Sequence, residues 1–148
     1  MAQINERWLG ISPKEAQEKQ YTAYITDTTD KDNPKCYVIP EGRYSIGRKD
    51  DIPLDIPIET EDLYMSRQHA FITHRKNIIG ENILTICDTF TKKNPTHIND
   101  RYMVGNGYEY QLYDGDIIEM GYTLFTVHLN PTAKSINPNR KCMDTHNG

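Results

Sequence analysis

Cysteine is scarce in this chain, and its spacing excludes the sites that depend on it. The 148 residues contain three cysteines, Cys36, Cys87 and Cys142, with no C-x-x-C pair and no short Cys/His spacing. Secreted disulfide scaffolds and zinc modules need more cysteines at regular intervals. We therefore expect reduced thiols in an intracellular protein, with no metal and no other cofactor.

Long apolar runs are absent as well. No stretch approaches the roughly 20 apolar residues that a membrane-spanning helix requires. The opening MAQINERWLG lacks the charged and then apolar layout of a signal peptide. We expect neither a membrane partner nor Sec-type export.

Positive charge is also in short supply. Lysine and arginine number 17 against 21 aspartates and glutamates, which gives a net charge of −4. A surface that binds nucleic acid along its length usually carries an excess of basic residues. The balance predicts no nucleic-acid partner, although a small local basic patch remains compatible with it.

Long segments of helical periodicity are missing from the body of the chain. Short runs rich in aromatic and β-branched residues recur at roughly 8–12 residue spacing and predict an antiparallel β-sandwich or barrel. Two tight turns, Pro40-Glu41-Gly42 and Tyr113-Asp114-Gly115, are predicted to close hairpins. The predicted strands are 21–26, 36–39, 43–46, 54–58, 70–74, 83–87, 108–112, 116–120 and 123–129.

The two ends differ from this body. Residues 1–20 are mostly polar and are predicted to form an N-terminal extension with a short helix, in which Ser12 is the cap and Pro13 the first helical residue. Apolar content falls from Asn130 onward, so 130–148 is predicted to be a flexible tail. One domain, 21–129, lies between them.

Residues that could form a binding site lie where the predicted strands begin or end. GR stands at 47–48, SRQHA at 66–70, Asp88 at a strand end and NPT at 94–96. Each piece alone is weak evidence, but their order resembles the forkhead-associated (FHA) domain family. The closing stretch LYDGDIIEMG at 112–121 resembles the L-x-x-G-D-x-I-x-x-G stretch that members commonly carry.

The resemblance extends over about 21–129 and implies both a fold and a function. FHA domains are β-sandwiches of about eleven strands, related to SMAD domains, whose loops at one end bind phosphothreonine peptides. The resemblance implies a non-enzymatic module of the nucleus or cytoplasm that binds a phosphothreonine-containing protein or peptide. Affinity should be modest, roughly micromolar. The oligomeric state is left open.

The resemblance also implies roles for individual residues. Arg48 would contact the phosphate and the peptide backbone, Ser66 would donate its hydroxyl to a phosphate oxygen, and Arg67 would supply a further phosphate donor. Asn94 would bind the ligand main chain through its amide. Lys93, next to it, is a possible further phosphate contact.

Four other residues are expected to support the site without touching the ligand. Gly47 would permit a close backbone approach beside the arginine. His69 would brace the loop and point away from the pocket. Asp88 and Thr96 would fix the loops by hydrogen bonding.

The loop around Asn94 departs from the family pattern. Members usually have S/T-x-N-G-T, whereas this chain has KKNPT at 92–96. Pro95 fixes φ near −65° and removes an amide donor. Lys93 replaces the small hydroxyl residue and either places its charge on phosphate or faces water. These two residues favour an alternative function, a scaffolding FHA-like sandwich that binds a partner or itself without phosphate.

Two further hypotheses concern residues near Ser66. A hydrolase using Ser66 and His69 would need an acid partner or a nucleophile elbow, and neither is visible in the sequence. The carboxylates of Glu59, Glu61 and Asp62 lie close to Ser66 in the chain and favour ligands with basic flanks.

Overall fold

The predicted all-β sandwich with a short N-terminal helix is confirmed. The computed structural model describes residues 11–29, 32, 34–89, 94–104 and 108–132. No helix within these ranges is long and apolar enough to cross a bilayer. The elements are α1 (Pro13–Lys19), β1 (Ala23–Asp27), β2 (Lys35–Val38), β3 (Gly42–Arg48), β4 (Ile56–Ile58), β5 (Ala70–Lys76), β6 (Asn82–Asp88), β7 (His97–Ile98), β8 (Tyr102–Met103), β9 (Tyr110–Leu112), β10 (Ile117–Met120) and β11 (Thr123–Leu129).

These strands form two sheets around one core. The six-stranded sheet has the order β2-β1-β11-β10-β7-β8, and the five-stranded sheet has the order β4-β3-β5-β6-β9. The pair β3–β4 is parallel, which the purely antiparallel prediction missed. Alternate residues of β5 and β11 are buried, as expected for strands with one face on a core. Large core side chains come from both sheets, among them Ile25, Tyr37, Ile46, Ile72, Ile86 and Phe125.

The predictions of hairpins at 40–42 and 113–115 were wrong, because each turn carries the chain from one sheet to the other. β2 and β10 belong to the six-stranded sheet, whereas β3 and β9 belong to the five-stranded sheet. Near each turn, an amide bonds to another strand: Ile39 N–H donates to Ala23 O (2.9 Å) and Gly115 N–H to Val127 O (2.8 Å). These bonds hold the chain at a corner instead of folding it back on itself.

The hairpin that matters for the site joins β10 and β11. Met120 pairs with Thr123, and Gly121 between them has φ +65°. Only glycine adopts this conformation without steric cost. The turn therefore has a fixed shape at the same end of the sandwich as the start of β5.

The short strands β7 and β8 form a second small hairpin, and β8 was not predicted. Asn99 and Asp100 have φ of 56° and 59°, and Arg101 N–H donates to Ile98 O (3.1 Å). Positive φ at both central residues is the mark of a type I′ turn. Two-residue strands are too short to show alternation in the sequence.

The N-terminal helix begins as predicted. The Ser12 hydroxyl accepts the Glu15 N–H (3.1 Å), and a proline occupies the first turn. Backbone hydrogen bonds between Ile11 and Cys36 (2.8 and 2.7 Å) and the buried Ala16 hold the helix against the sandwich. The cap and these contacts explain how so short a helix is stable.

Backbone contacts of the body continue past residue 129. Asn130 N–H donates to Thr22 O (3.0 Å), and Asn82 N–H donates to Pro131 O (2.9 Å). The predicted flexible tail lies outside the described residues from 133 onward.

Candidate functional site

The segment between β4 and β5, here called the 62–69 loop, lies directly against the end of β3. Arg48 N–H donates to Ser66 O (3.0 Å), and His69 N–H donates to Ile46 O (3.0 Å). A Cβ on Gly47 would stand 2.6 Å from Ser66 O and would also overlap the carbonyl oxygen of Arg67. A glycine is therefore required for the two segments to approach this closely.

Arg48 is held across this loop by its side chain. Its Nε donates to Met65 O (3.1 Å), and the side chain is 21% exposed. Its Nη1 lies 3.5 Å from Asp50 Oδ2. None of the hydrogen bonds among the described residues uses Nη2, so that end of the guanidinium keeps its donors for another acceptor.

His69 braces the loop from inside. The ring is fully buried, and its Nδ1 accepts the Ser66 N–H at 3.0 Å. As an acceptor, Nδ1 carries no proton in this arrangement. The contact is made to the amide of Ser66, and a histidine acting as a base on a serine would instead face the hydroxyl. The geometry therefore gives no support to a Ser66–His69 nucleophile pair.

Ser66 and Arg67 present polar groups on the outer side of the loop. Ser66 is half-buried, and no hydrogen bond within the described part of the chain uses its hydroxyl. Arg67 Nη1 lies 3.9 Å from both Asp50 Oδ2 and Asp51 Oδ1, with its side chain 48% exposed. Two guanidinium groups, from Arg48 and Arg67, thus flank one carboxylate oxygen of Asp50.

The loop after β6 meets the 62–69 loop through Asn94. Its Nδ2 donates to Tyr64 O (3.1 Å), which leaves the amide oxygen for another partner. Thr89 Oγ1, also after β6, donates to Gln68 O (2.8 Å). Lys93 lies outside the described residues.

A buried carboxylate fixes the path of the chain past Asn94. Asp88 at the end of β6 accepts the Thr96 hydroxyl (2.5 Å) and the Thr96 N–H (3.1 Å). Both side chains are almost completely buried. Hydrogen bonds to a buried carboxylate are strong, so this pair keeps the Asn94 loop in place beside the 62–69 loop.

Sequence reasoning missed the structural role of Asp62 and Gly121, which attach the β10–β11 turn to the 62–69 loop. Asp62 Oδ2 accepts Tyr122 N–H (2.7 Å) and Thr123 Oγ1–H (2.6 Å). A Cβ on Gly121 would stand 2.5 Å from Met65 N. Gly121 closes the 112–121 motif, so its position was visible in the sequence, but its contact with the loop was not.

Two of the three carboxylates that were predicted to favour basic flanks, Glu59 and Asp62, make contacts within the protein. Glu59 pairs with Lys35 (3.0 Å) and Lys49 (3.1 Å), and Asp62 is engaged as just described. Glu61 is exposed, and no ion pair of Glu61 is found among the described residues. Any such preference would therefore depend mainly on Glu61.

The bonds around Asp62 predict a pH-dependent stability. Burial opposes its ionisation, but hydrogen bonds from Thr123, Tyr122 and Tyr64 outweigh burial and lower the pKa of the carboxyl. A depressed native pKa stabilises the fold above the unfolded-state pKa, and that stabilisation disappears as pH falls through the native value. Asp62→Asn should therefore lower the free energy of unfolding by about 1 kcal/mol at neutral pH.

Urea denaturation of both proteins across a pH series measures this effect. The difference between native chain and variant should be constant above about pH 5 and should shrink below about pH 4. A difference that stays constant into strong acid would show that the Asp62 charge does not hold the loop.

An open groove of about 420 Å³ continues from the 62–69 loop onto the β10–β11 turn. Leu63, Tyr64 and Tyr122 line it and are 76%, 52% and 68% exposed. The two tyrosine rings are tilted against each other, with centroids 4.5 Å apart. The groove offers an apolar surface next to the point where Asn94 meets the 62–69 loop.

The structure thus combines a β-sandwich with inter-strand loops that bring two arginines together at one end. The family model for the FHA domain matches residues 44–121, from within β3 to the β10–β11 turn. The chain belongs to the FHA domain family, whose members are interaction modules known for phosphothreonine-dependent binding.

Solved structures show the same fold. An FHA domain studied for phosphothreonine-dependent interactions is 24% identical, with a TM-score of 0.57 over 74% of this chain and 98% of that one. The FhaA FHA domain, in complex with the intracellular domain of Rv3910, is 25% identical, with a TM-score of 0.56 over 72% and 100%. The MEK1 FHA domain, in complex with a HOP1 phosphothreonine peptide, is 16% identical, with a TM-score of 0.57 over 74% and 98%. No curated protein sequence matched this chain.

Proposed function

We propose that this chain is a phosphothreonine-dependent peptide-binding module that uses the rim formed by Arg48, Ser66, Arg67 and Asn94. The observation that carries the proposal is the convergence of the Arg48 and Arg67 guanidinium groups on one oxygen of Asp50, at 3.5 and 3.9 Å, at the end of the sandwich where the 62–69 loop carries Ser66. Membership of the FHA family supports it. The peptide complex of the MEK1 FHA domain is an example of such binding by a related fold.

The chemistry of the rim suits a phosphate ester. A phosphothreonine carries a charge of about −1.5 to −2 at neutral pH and three acceptor oxygens. The planar guanidinium groups of Arg48 and Arg67 match such acceptors, and charge-assisted hydrogen bonds contribute about 1.5–3 kcal/mol each. The Ser66 hydroxyl supplies a neutral donor. We expect a total affinity that is roughly micromolar.

The peptide around the phosphothreonine would be held by its main chain and its flanks. The Asn94 amide oxygen is the acceptor for a ligand N–H, because its Nδ2 is already engaged with Tyr64 O. Lys93, beside it, remains a proposed phosphate contact. The groove along Tyr64 and Tyr122 would receive residues that flank the phosphothreonine. Preference for threonine over serine would come from burying one methyl group, about 0.8 kcal/mol.

A titration with two peptide pools tests this function. One pool contains degenerate phosphothreonine peptides and the other contains the same peptides after dephosphorylation. We expect binding of the first pool alone, and a loss of about tenfold in affinity for Ser66→Ala, because one donor to the phosphate disappears.

Ser12→Ala is the matched control, since it removes a hydroxyl from the cap of α1, outside the proposed site. It should leave peptide binding unchanged. Equal binding of both pools would contradict the proposal and favour the phosphate-independent scaffold.

A further inference from the structure

Asp50 places a carboxylate between the two arginines of the rim. Its Oδ2 lies 3.5 Å from Arg48 Nη1 and 3.9 Å from Arg67 Nη1. Its neighbour Asp51 approaches Arg67 alone, at 3.9 Å, and is 87% exposed. Asp50 is therefore the residue that faces both cations, whereas Asp51 lies at their edge.

The backbone holds the Asp50 carboxylate in this orientation. The Asp51 N–H donates to Asp50 Oδ1 at 2.8 Å, which turns the other oxygen, Oδ2, toward the guanidinium groups. That hydrogen bond first, and the charges of Arg67 and Arg48 with it, lower the pKa of Asp50. The group is thus an oriented anion at neutral pH.

We propose that Asp50 is an internal anion that occupies the position of the ligand phosphate and must be displaced when a phosphopeptide binds. This inference rests on the proposed function. A phosphate ester can replace the carboxylate because it brings a larger charge and more acceptor oxygens to the same donors. A peptide carboxylate, with one negative charge, has no such advantage over Asp50. Asp50 would thereby keep singly charged side chains from occupying the rim.

Two isosteric variants test the inference in the full chain, with the degenerate phosphothreonine peptide pool as the probe. Asp50→Asn removes the competing charge but keeps an oxygen for the Asp51 amide. Asp51→Asn removes the same net charge without clearing the position between the arginines. Dissociation constants are measured by NMR titration at fixed ionic strength, because exposed charge pairs are weakened by salt.

We expect Asp50→Asn to bind the probe about three- to tenfold more tightly than the native chain, as the loss of two exposed ion pairs implies. Asp51→Asn should change the affinity by less than about twofold. If Asp50→Asn bound the probe and neither the native chain nor Asp51→Asn did, that result would also support the inference. Equal gains in affinity in both variants, or no gain in Asp50→Asn, would overturn the inference. The proposed function would still stand in that case if the native chain bound the probe. Failure of all three proteins to bind would overturn both.

Discussion

Arg48→Ala is expected to reduce the affinity for phosphothreonine peptides by about 100-fold or more. The substitution removes at least one charge-assisted hydrogen bond to phosphate and one of the two guanidinium charges beside it, and a hundredfold loss corresponds to about 3 kcal/mol. The same side chain also donates to Met65 O, so we expect a loss of about 1 kcal/mol in the free energy of unfolding. Calorimetric titration and urea denaturation of the same preparation separate the two effects.

Two further variants define the cause. Arg48→Lys keeps a positive charge but loses the planar fork, and its affinity should lie between those of the native chain and the alanine variant. Arg75→Ala removes an equal charge from an exposed position near the other end of β5, and it should bind like the native chain. Native-like affinity in a folded Arg48→Ala protein would refute the site assignment.

Gly47→Ala is expected to weaken peptide binding more than tenfold by displacing the backbone of the 62–69 loop. The new methyl group would overlap the carbonyl oxygens of Ser66 and Arg67, and these backbone atoms cannot move without displacing the 62–69 loop. Overpacking of this kind costs about 1–3 kcal/mol of stability. Because the loop carries Ser66 and Arg67, we expect its displacement to lower the affinity by more than tenfold. Denaturation and peptide titration measure the two losses.

Gly80→Ala provides a matched glycine substitution at the β5–β6 turn. Gly80 has φ +85°, and no atom lies within 4 Å of the position of an added Cβ. We expect this variant to lose about 1–2 kcal/mol through backbone strain alone and to bind normally. If Gly47→Ala bound as well as Gly80→Ala, the close approach of β3 to the 62–69 loop would not be required for recognition.

The strands were predictable because aromatic and β-branched residues, which favour strands, recur in short runs along the chain. The run predicted as a strand at 70–74 falls within β5, where alternate residues are buried. The turns at 40–42 and 113–115 were misread because a tight turn has similar residues whether it closes a hairpin or changes sheets. The difference lies in bonds to distant strands, such as Gly115 to Val127, which turn residues alone do not reveal.

Residues of the candidate site could be predicted only where they belong to a sequence motif of the family. The order of GR and SRQHA pointed to Arg48 and Ser66 through family resemblance. The roles of Asp62 and Asp50 depend on partners set by the fold: Asp62 bonds to Tyr122, sixty residues away, and Asp50 reaches Arg67 across the rim. Asp62 was predicted, with Glu59 and Glu61, to favour ligands with basic flanks, whereas its carboxylate is engaged with the β10–β11 turn.

Mapping the bound peptide by NMR tests the central claim most directly. The isotope-labelled chain is titrated with one phosphothreonine peptide selected from the degenerate pool, and then with its dephosphorylated form. The account predicts amide shifts at 47–50, 62–69 and Asn94, none at the 77–81 turn at the other end of β5, and none with the dephosphorylated peptide. Shifts centred on 77–81 or on a sheet face, or equal shifts with both peptides, would contradict it.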